Sequence, residues 1–165
     1  MDADLSDAIL SDCGTYRYHL TRTWDARIVP LRFIMLNPST ADAAVDDPTI
    51  RRCVGFAKRD GFGGIAVTNL YSFRATKPAD LWRAADPVGP GGDDALRLTL
   101  SNARDQRVPV VAAWGANARP DRVQWLLGQA GAQQLVCLGL TKGGAPRHPL
   151  YVRGDAPFVP FGEQP

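Results

Sequence analysis

Leu31-Arg32-Phe33-Ile34-Met35-Leu36-Asn37-Pro38-Ser39-Thr40 changes character within one step, from a run that is apolar apart from Arg32 to a polar, turn-forming end. The run has no helical spacing, and Asn-Pro keeps the backbone extended or turning, so residues 31–36 read as a strand buried on both faces. Such strands belong to parallel sheets with helices on both sides. In open sheets of that kind ligands sit just past the carboxyl ends of the strands, where Asn37, Ser39 and Thr40 stand. Taken alone, the stretch fits a simple turn equally well, with Asn37-Pro38 bending the chain and Ser39 or Thr40 capping a neighbour.

Working outward, three further segments have the same look: Gly64 to Tyr71, Val108 to Gly115 and Gln134 to Gly139. Helical segments alternate with them. Asp47, Pro48 and Thr49 are start signals for a helix over about residues 48–60 that stops at Gly61, with Ile50, Cys53, Val54 and Ala57 as its apolar face. Asp93 or Asp94 is expected to cap a helix that turns Leu96, Leu100 and Ala103 inward, and Pro120 opens another that buries Val123, Leu126, Leu127 and Ala130. Thr15 to Trp24 alternates at period two like a half-buried strand, expected to pair with the next strand through an Asp25-Ala26 turn and to leave His19 on the solvent side. Residues 1–13 read as a frayed end or a short helix. The predicted architecture is α/β: a three-layer sandwich around a central four-stranded, mostly parallel sheet, plus an N-terminal β-hairpin.

The 165 residues suit one domain, 1–165. With 45% hydrophobic and 22% charged residues, neither disorder nor a fibrous protein is indicated. No apolar run approaches a membrane span and the acidic start is not a signal peptide, so a cytoplasmic protein with no membrane partner is expected. Cys13, Cys53 and Cys137 are odd in number and widely spaced, which argues against disulfides or a four-cysteine cluster and casts them as small core residues. Sixteen arginines against three lysines are unusual at a net charge of +2. Coding bias explains that ratio unless geometry intervenes, although arginine does match phosphate well.

The strand ends gather Asn37, Asn69, the Trp114-Gly115 turn and His148 on one rim. No glycine-rich phosphate fingerprint or GxSxG elbow is present, and two histidines are too few for a histidine-rich metal site. No metal or cofactor is therefore expected. Two asparagines and a histidine are good hydrogen-bonding groups and poor nucleophiles, which suits attack by water on a bond whose leaving group needs its negative charge stabilised. Hydrolysis of an N-glycosidic bond to a base is such a reaction.

On the order of these features over residues 31–151, the chain resembles the uracil-DNA glycosylase superfamily. The resemblance implies that Asn37 in Met35-Leu36-Asn37-Pro38-Ser39 positions the attacking water, that Asn69 in Val67-Thr68-Asn69-Leu70 reads the base edge, and that His148 of His148-Pro149 steadies the departing base. Met35, Leu36 and Pro38 would line the base site. Ser39, Thr40, Arg51, Arg74, Arg147, Leu150 and Tyr151 would contact DNA, single-stranded or damaged, with Leu150 and Tyr151 as candidate wedges for base flipping. Phe73-Arg74-Ala75-Thr76 and Trp114-Gly115-Ala116-Asn117-Ala118 are similar to further elements of that superfamily. Met35 and Ser39 stand where glycines are usual in it, and Leu150 where serine follows His-Pro.

A longer likeness runs through residues 35–42 (MLNPSTAD), 46–53 (DDPTIRRC) and 68–71 (TNLY), which are similar to a bacterial family of proteins of unknown function. The expected activity is that of a DNA glycosylase-like enzyme removing a damaged or modified base, uracil among the candidates. Two alternatives remain open: a non-catalytic module that binds nucleic acid or a base, and a hydrolase or transferase of free nucleosides or nucleotides.

Overall fold

Residues 4–39 and 47–162 are described by a computed structural model. Leu31–Met35 (β3) is buried along its whole length, as its apolar run requires. It sits between Gly64–Asn69 (β4) and Val110–Ala112 (β5), parallel to both, and Leu135–Cys137 (β6) pairs parallel with β5. These are the four expected core strands.

The sheet is larger than expected. It has seven strands in the order β1-β2-β4-β3-β5-β6-β7 and is mixed rather than four-stranded and mostly parallel. Leu5–Leu10 (β1) and Arg17–Thr23 (β2) form an antiparallel pair at one edge, and Val159–Pro160 (β7) lies antiparallel to β6 at the other. The first residues described are therefore neither frayed nor helical. Strand β1 escapes notice because almost every residue in it is exposed, which leaves no apolar alternation to read. The expected hairpin through the Asp25-Ala26 turn does not form: β2 pairs with β1 and β4, and the N-terminal antiparallel pair is β1 with β2. A strand as fully buried as β3 needs a neighbour on each side, and the half-exposed β2 goes further out.

Helices cover both faces. Helix Pro48–Arg59 (α1) packs Ile50, Cys53, Phe56 and Ala57 against Leu31, Phe33, Met35, Ile65 and Val67 on one face. It opens with Asp47 Oδ1 accepting from the Ile50 amide at 2.8 Å. It closes on left-handed Gly61, whose N–H reaches Lys58 O at 3.2 Å while Phe62 N–H reaches Ala57 O at 3.0 Å, a Schellman stop. Helices Pro78–Arg83 (α2), Gly92–Gln106 (α3) and Pro120–Leu127 (α4) lie on the other face, where Leu81, Leu96, Leu100 and Leu126 bury Ile34, Val110, Ala112 and Leu135.

Several local expectations change. Helix α3 starts at Gly92 after Gly91, and neither Asp93 nor Asp94 caps it. Asp93 instead pairs with the buried Arg122 at 2.6 Å, whose Nε also donates to Leu70 O at 2.8 Å. Ala130 is exposed because α4 ends at Leu127. His19 is not a free surface histidine: its Nδ1 lies 3.3 Å from Thr68 Oγ1, which lies 2.6 Å from Thr99 Oγ1 on α3. Burial, with help from the charge of Arg32, pushes its pKa down. Cys53 and Cys137 are core residues, but Cys13 is exposed in the β1–β2 turn. Hydrogen bonding with Ser11 and Thr15 lowers its thiol pKa to about 7. Among the described residues no helix is long and apolar enough to cross a membrane.

Candidate functional site

The chain runs from β3 to β4 on one side and then crosses to β5 on the other. This reversal leaves a crevice between the carboxyl ends of β3 and β5, the usual place for a ligand in an open α/β sheet. A cavity of about 550 Å³ occupies it, within the range of small-molecule sites. Met35, Leu36, Pro38, Ile50, Val67 and Trp114 make its apolar wall, and Asn37, Ser39, Asn69, Arg147, His148, Leu150 and Tyr151 also line it. Ten of the thirteen residues singled out by the sequence thus meet in one place. Arg51 and Arg74 do not line the cavity, and Thr40 lies outside the described residues.

The strand ends are laced together before they reach the cavity. Met35 stands opposite Asn69 in the β3–β4 register. Beyond it, Leu70 and Tyr71 donate to Met35 O and Leu36 O, and Ala75 donates to Pro38 O at 3.1 Å. The Asn37 side chain completes this lacing: its Nδ2 donates to Ala75 O at 2.9 Å and to Pro38 O at 3.1 Å. With its donors so engaged, Asn37 offers Oδ1 as its remaining group. Asn69 is treated differently. It is only 4% exposed, and its amide makes no hydrogen bond with the described residues. It lines the cavity, so its donor and its acceptor are both open to a ligand there.

His148 is held in one tautomer. Its Nδ1 accepts from the Leu150 amide at 3.2 Å, so the neutral ring carries its proton on Nε2. Burial pushes its pKa down against a smaller opposing effect of Asp47, which favours that neutral donor. Gly115, left-handed at φ 75°, turns the chain after Trp114, and its N–H donates to Pro146 O at 3.0 Å, seating the loop that carries His148. Tyr151 is 77% exposed and Leu150 is also exposed, both on the short turn after His148. Arg52 of α1 fastens that turn, donating to Pro149 O at 3.3 Å and to Val152 O.

Sequence reasoning left four polar cavity residues, Arg17, Asp47, Thr49 and Thr141, out of the site. Arg17 is buried on β2, and burial pushes its pKa down while Asp47 opposes that. Its place in a period-two strand gave no hint of this. Asp47 read as a helix cap, which it is, but it is also the one carboxylate among the described cavity residues. Thr49, in the first turn of α1, and Thr141, in the loop after β6, are the other two; Thr49 read only as a helix-start signal and Thr141 carried no signal in sequence. Among the described residues no three His, Cys, Asp or Glu side chains are grouped as a metal site would need.

Residues 17–150 match a family described as Protein of unknown function (DUF1643). The chain belongs to that family. The match spans β2 to the His148 loop, so nearly the whole cavity falls within it. No curated protein matches the chain.

Proposed function

We propose that this member of the family is a DNA glycosylase-like enzyme, which takes a damaged or modified base into the cavity and hydrolyses its N-glycosidic bond. The observation that carries the proposal is Asn69, an amide only 4% exposed that lines the cavity with no hydrogen-bond partner among the described residues. An amide pairs with an adjacent carbonyl and N–H, the edge that uracil-like bases present. His148 supports the chemistry as a neutral Nε2–H donor for the negative charge that develops on a departing base. Asn37 contributes Oδ1 as an acceptor held by the two bonds of its Nδ2. Exposed Leu150 and Tyr151 at the mouth suit the role of a wedge filling the gap left by a flipped base. The resemblance to the uracil-DNA glycosylase superfamily points the same way, as does the crevice between β3 and β5.

One observation favours a second reading, action on free nucleosides or nucleotides. Much of the arginine excess is engaged in bracing carbonyls: Arg52 holds Pro149 and Val152, Arg59 holds Gly154 and Ala156, and Arg122 holds Leu70. Those guanidinium groups serve the fold rather than a phosphate track. The test is incubation with duplexes and single strands carrying uracil, hypoxanthine, or oxidised and methylated pyrimidines, followed by alkali. Strand breaks at the modified position are expected. Intact strands together with base release from mononucleosides would transfer the reaction to free substrates, and no release from either would sink the hydrolase reading.

A further inference from the structure

Water is a poor nucleophile unless a base takes its proton, and neither Asn37 nor neutral His148 with Nδ1 engaged supplies one. A carboxylate does stand in the same cavity. Asp47 lies at the head of α1 with Oδ1 accepting from the Ile50 amide at 2.8 Å and Oδ2 accepting from Ser39 Oγ at 3.3 Å. Both oxygens are therefore fixed in direction, and an ionised carboxylate has lone pairs beyond those two bonds. It lines the same cavity as Arg17 and His148, so it stands among the polar cavity groups. Ser39 also ties it to the Asn37-Pro38 turn. The unpartnered amide of Asn69 in the same cavity independently calls for a ligand there.

We infer that Asp47 faces the anomeric carbon of the bound nucleotide, where it takes the proton of the attacking water and offsets the positive charge that gathers on the sugar. This rests on the glycosidic reading above. The water O–H bond breaks and its proton passes to Asp47 Oδ2 as the new C1′–O bond forms. The C1′–N bond breaks, and its electron pair leaves with the base, which His148 Nε2–H steadies. The base regains a proton from solvent as Asp47 releases its own. Asn37 Oδ1 accepts the second hydrogen of the water. The helix-cap duty of Asp47 hides this role from sequence, because Asp before Pro-Thr is already explained.

Asp47→Asn separates the two duties, since asparagine caps helices as well as aspartate does. The substitution should leave the melting temperature within a few degrees and KM within about threefold, while kcat falls by about 10²–10⁴, the range of general acid–base catalysis. A second measurement does not need turnover. Wild type should bind an oligonucleotide carrying a cationic pyrrolidine in place of one sugar at least about tenfold tighter than one carrying a neutral tetrahydrofuran, and Asp47→Asn should lose that preference. If wild type binds the pyrrolidine oligomer no better than the tetrahydrofuran one, or Asp47→Asn retains kcat, the inference is overturned. Absence of base release with the charge preference intact in wild type and lost in Asp47→Asn would strike the hydrolase reading alone and still support this placement of Asp47.

Discussion

Two asparagines end neighbouring parallel strands, and the fold uses them in opposite ways. Asn37 is braced, its Nδ2 donating to Ala75 O and Pro38 O across the β3 and β4 exits. Asn69, opposite Met35 in register, is 4% exposed and has no partner among the described residues. The first asparagine helps to build the rim and the second waits on it. The pair thus separates an amide spent on holding the scaffold from one left open to the cavity.

After Asp47, the largest effect expected falls on the histidine that shares the cavity with both asparagines. His148→Ala should lower kcat for every base by about 10²–10³, the typical loss on removing one donor to developing negative charge. Release rates for two unlike bases check it, and a loss confined to one base would move His148 from rate to recognition. Asn69→Asp comes next. Two acceptors replace a donor and an acceptor, so preference should shift about ten- to hundredfold towards a base with an exocyclic amine, as cytosine has. Competition between uracil and cytosine substrates reads this directly, and an unchanged ratio would return Asn69 to the status of a strand-ending residue.

Stability sharpens the same contrast from the other side. Asn37→Ala should destabilise the protein by about 1–3 kcal/mol, because carbonyls of Ala75 and Pro38 lose a donor. For a chain of this size each kcal/mol is about 2–4 °C in melting temperature. Asn69→Leu, similar in volume and without unpaired polar atoms, should melt at or above the wild-type temperature. Thermal melts of the two variants decide the matter, and equal losses would erase the distinction between braced and waiting amides.

The smallest effect is in pH. Burial depresses the folded pKa of both His19 and His148. Unfolded histidine titrates near about 6.5, so below that value the unfolded state binds protons that the folded state refuses. Stability from these two groups is complete above that pH and is lost as pH falls through their folded values. His19→Gln should flatten the acid decline seen in urea unfolding between about pH 7 and 5. An unchanged decline would show that the His19–Thr68–Thr99 chain carries none of it.

How much of this was legible in the sequence follows from how many duties each residue has. Leu31 to Met35 could only be a strand buried on both faces, and that run gave the parallel core and its rim. Asn37, Asn69 and His148 then fell together because each follows a core strand. Strand β1 was invisible, since Leu5 and Ile9 are exposed and the strand is fixed by backbone pairing to β2 rather than by burial. The partner of β2 was misjudged because turn residues at Asp25-Ala26 announce a reversal without saying which strand the chain will join. Arg17 looked like one more polar residue of an alternating strand, and only the packed fold shows it buried at the cavity. Asp47 carried a complete local explanation, which hid its second position.

The braces from Arg52 have a temporal side. Arg52 reaches Pro149, a partner 97 residues further along the chain. At typical rates of synthesis Arg52 is added to the chain about 5–20 s before the residues it will clasp. Through that interval the carboxyl rim has Asn37 and Asn69 but no wall bearing His148. The scaffold can collapse early around β3 and β4, whereas the site gains its shape only once the segment bearing His148 has followed.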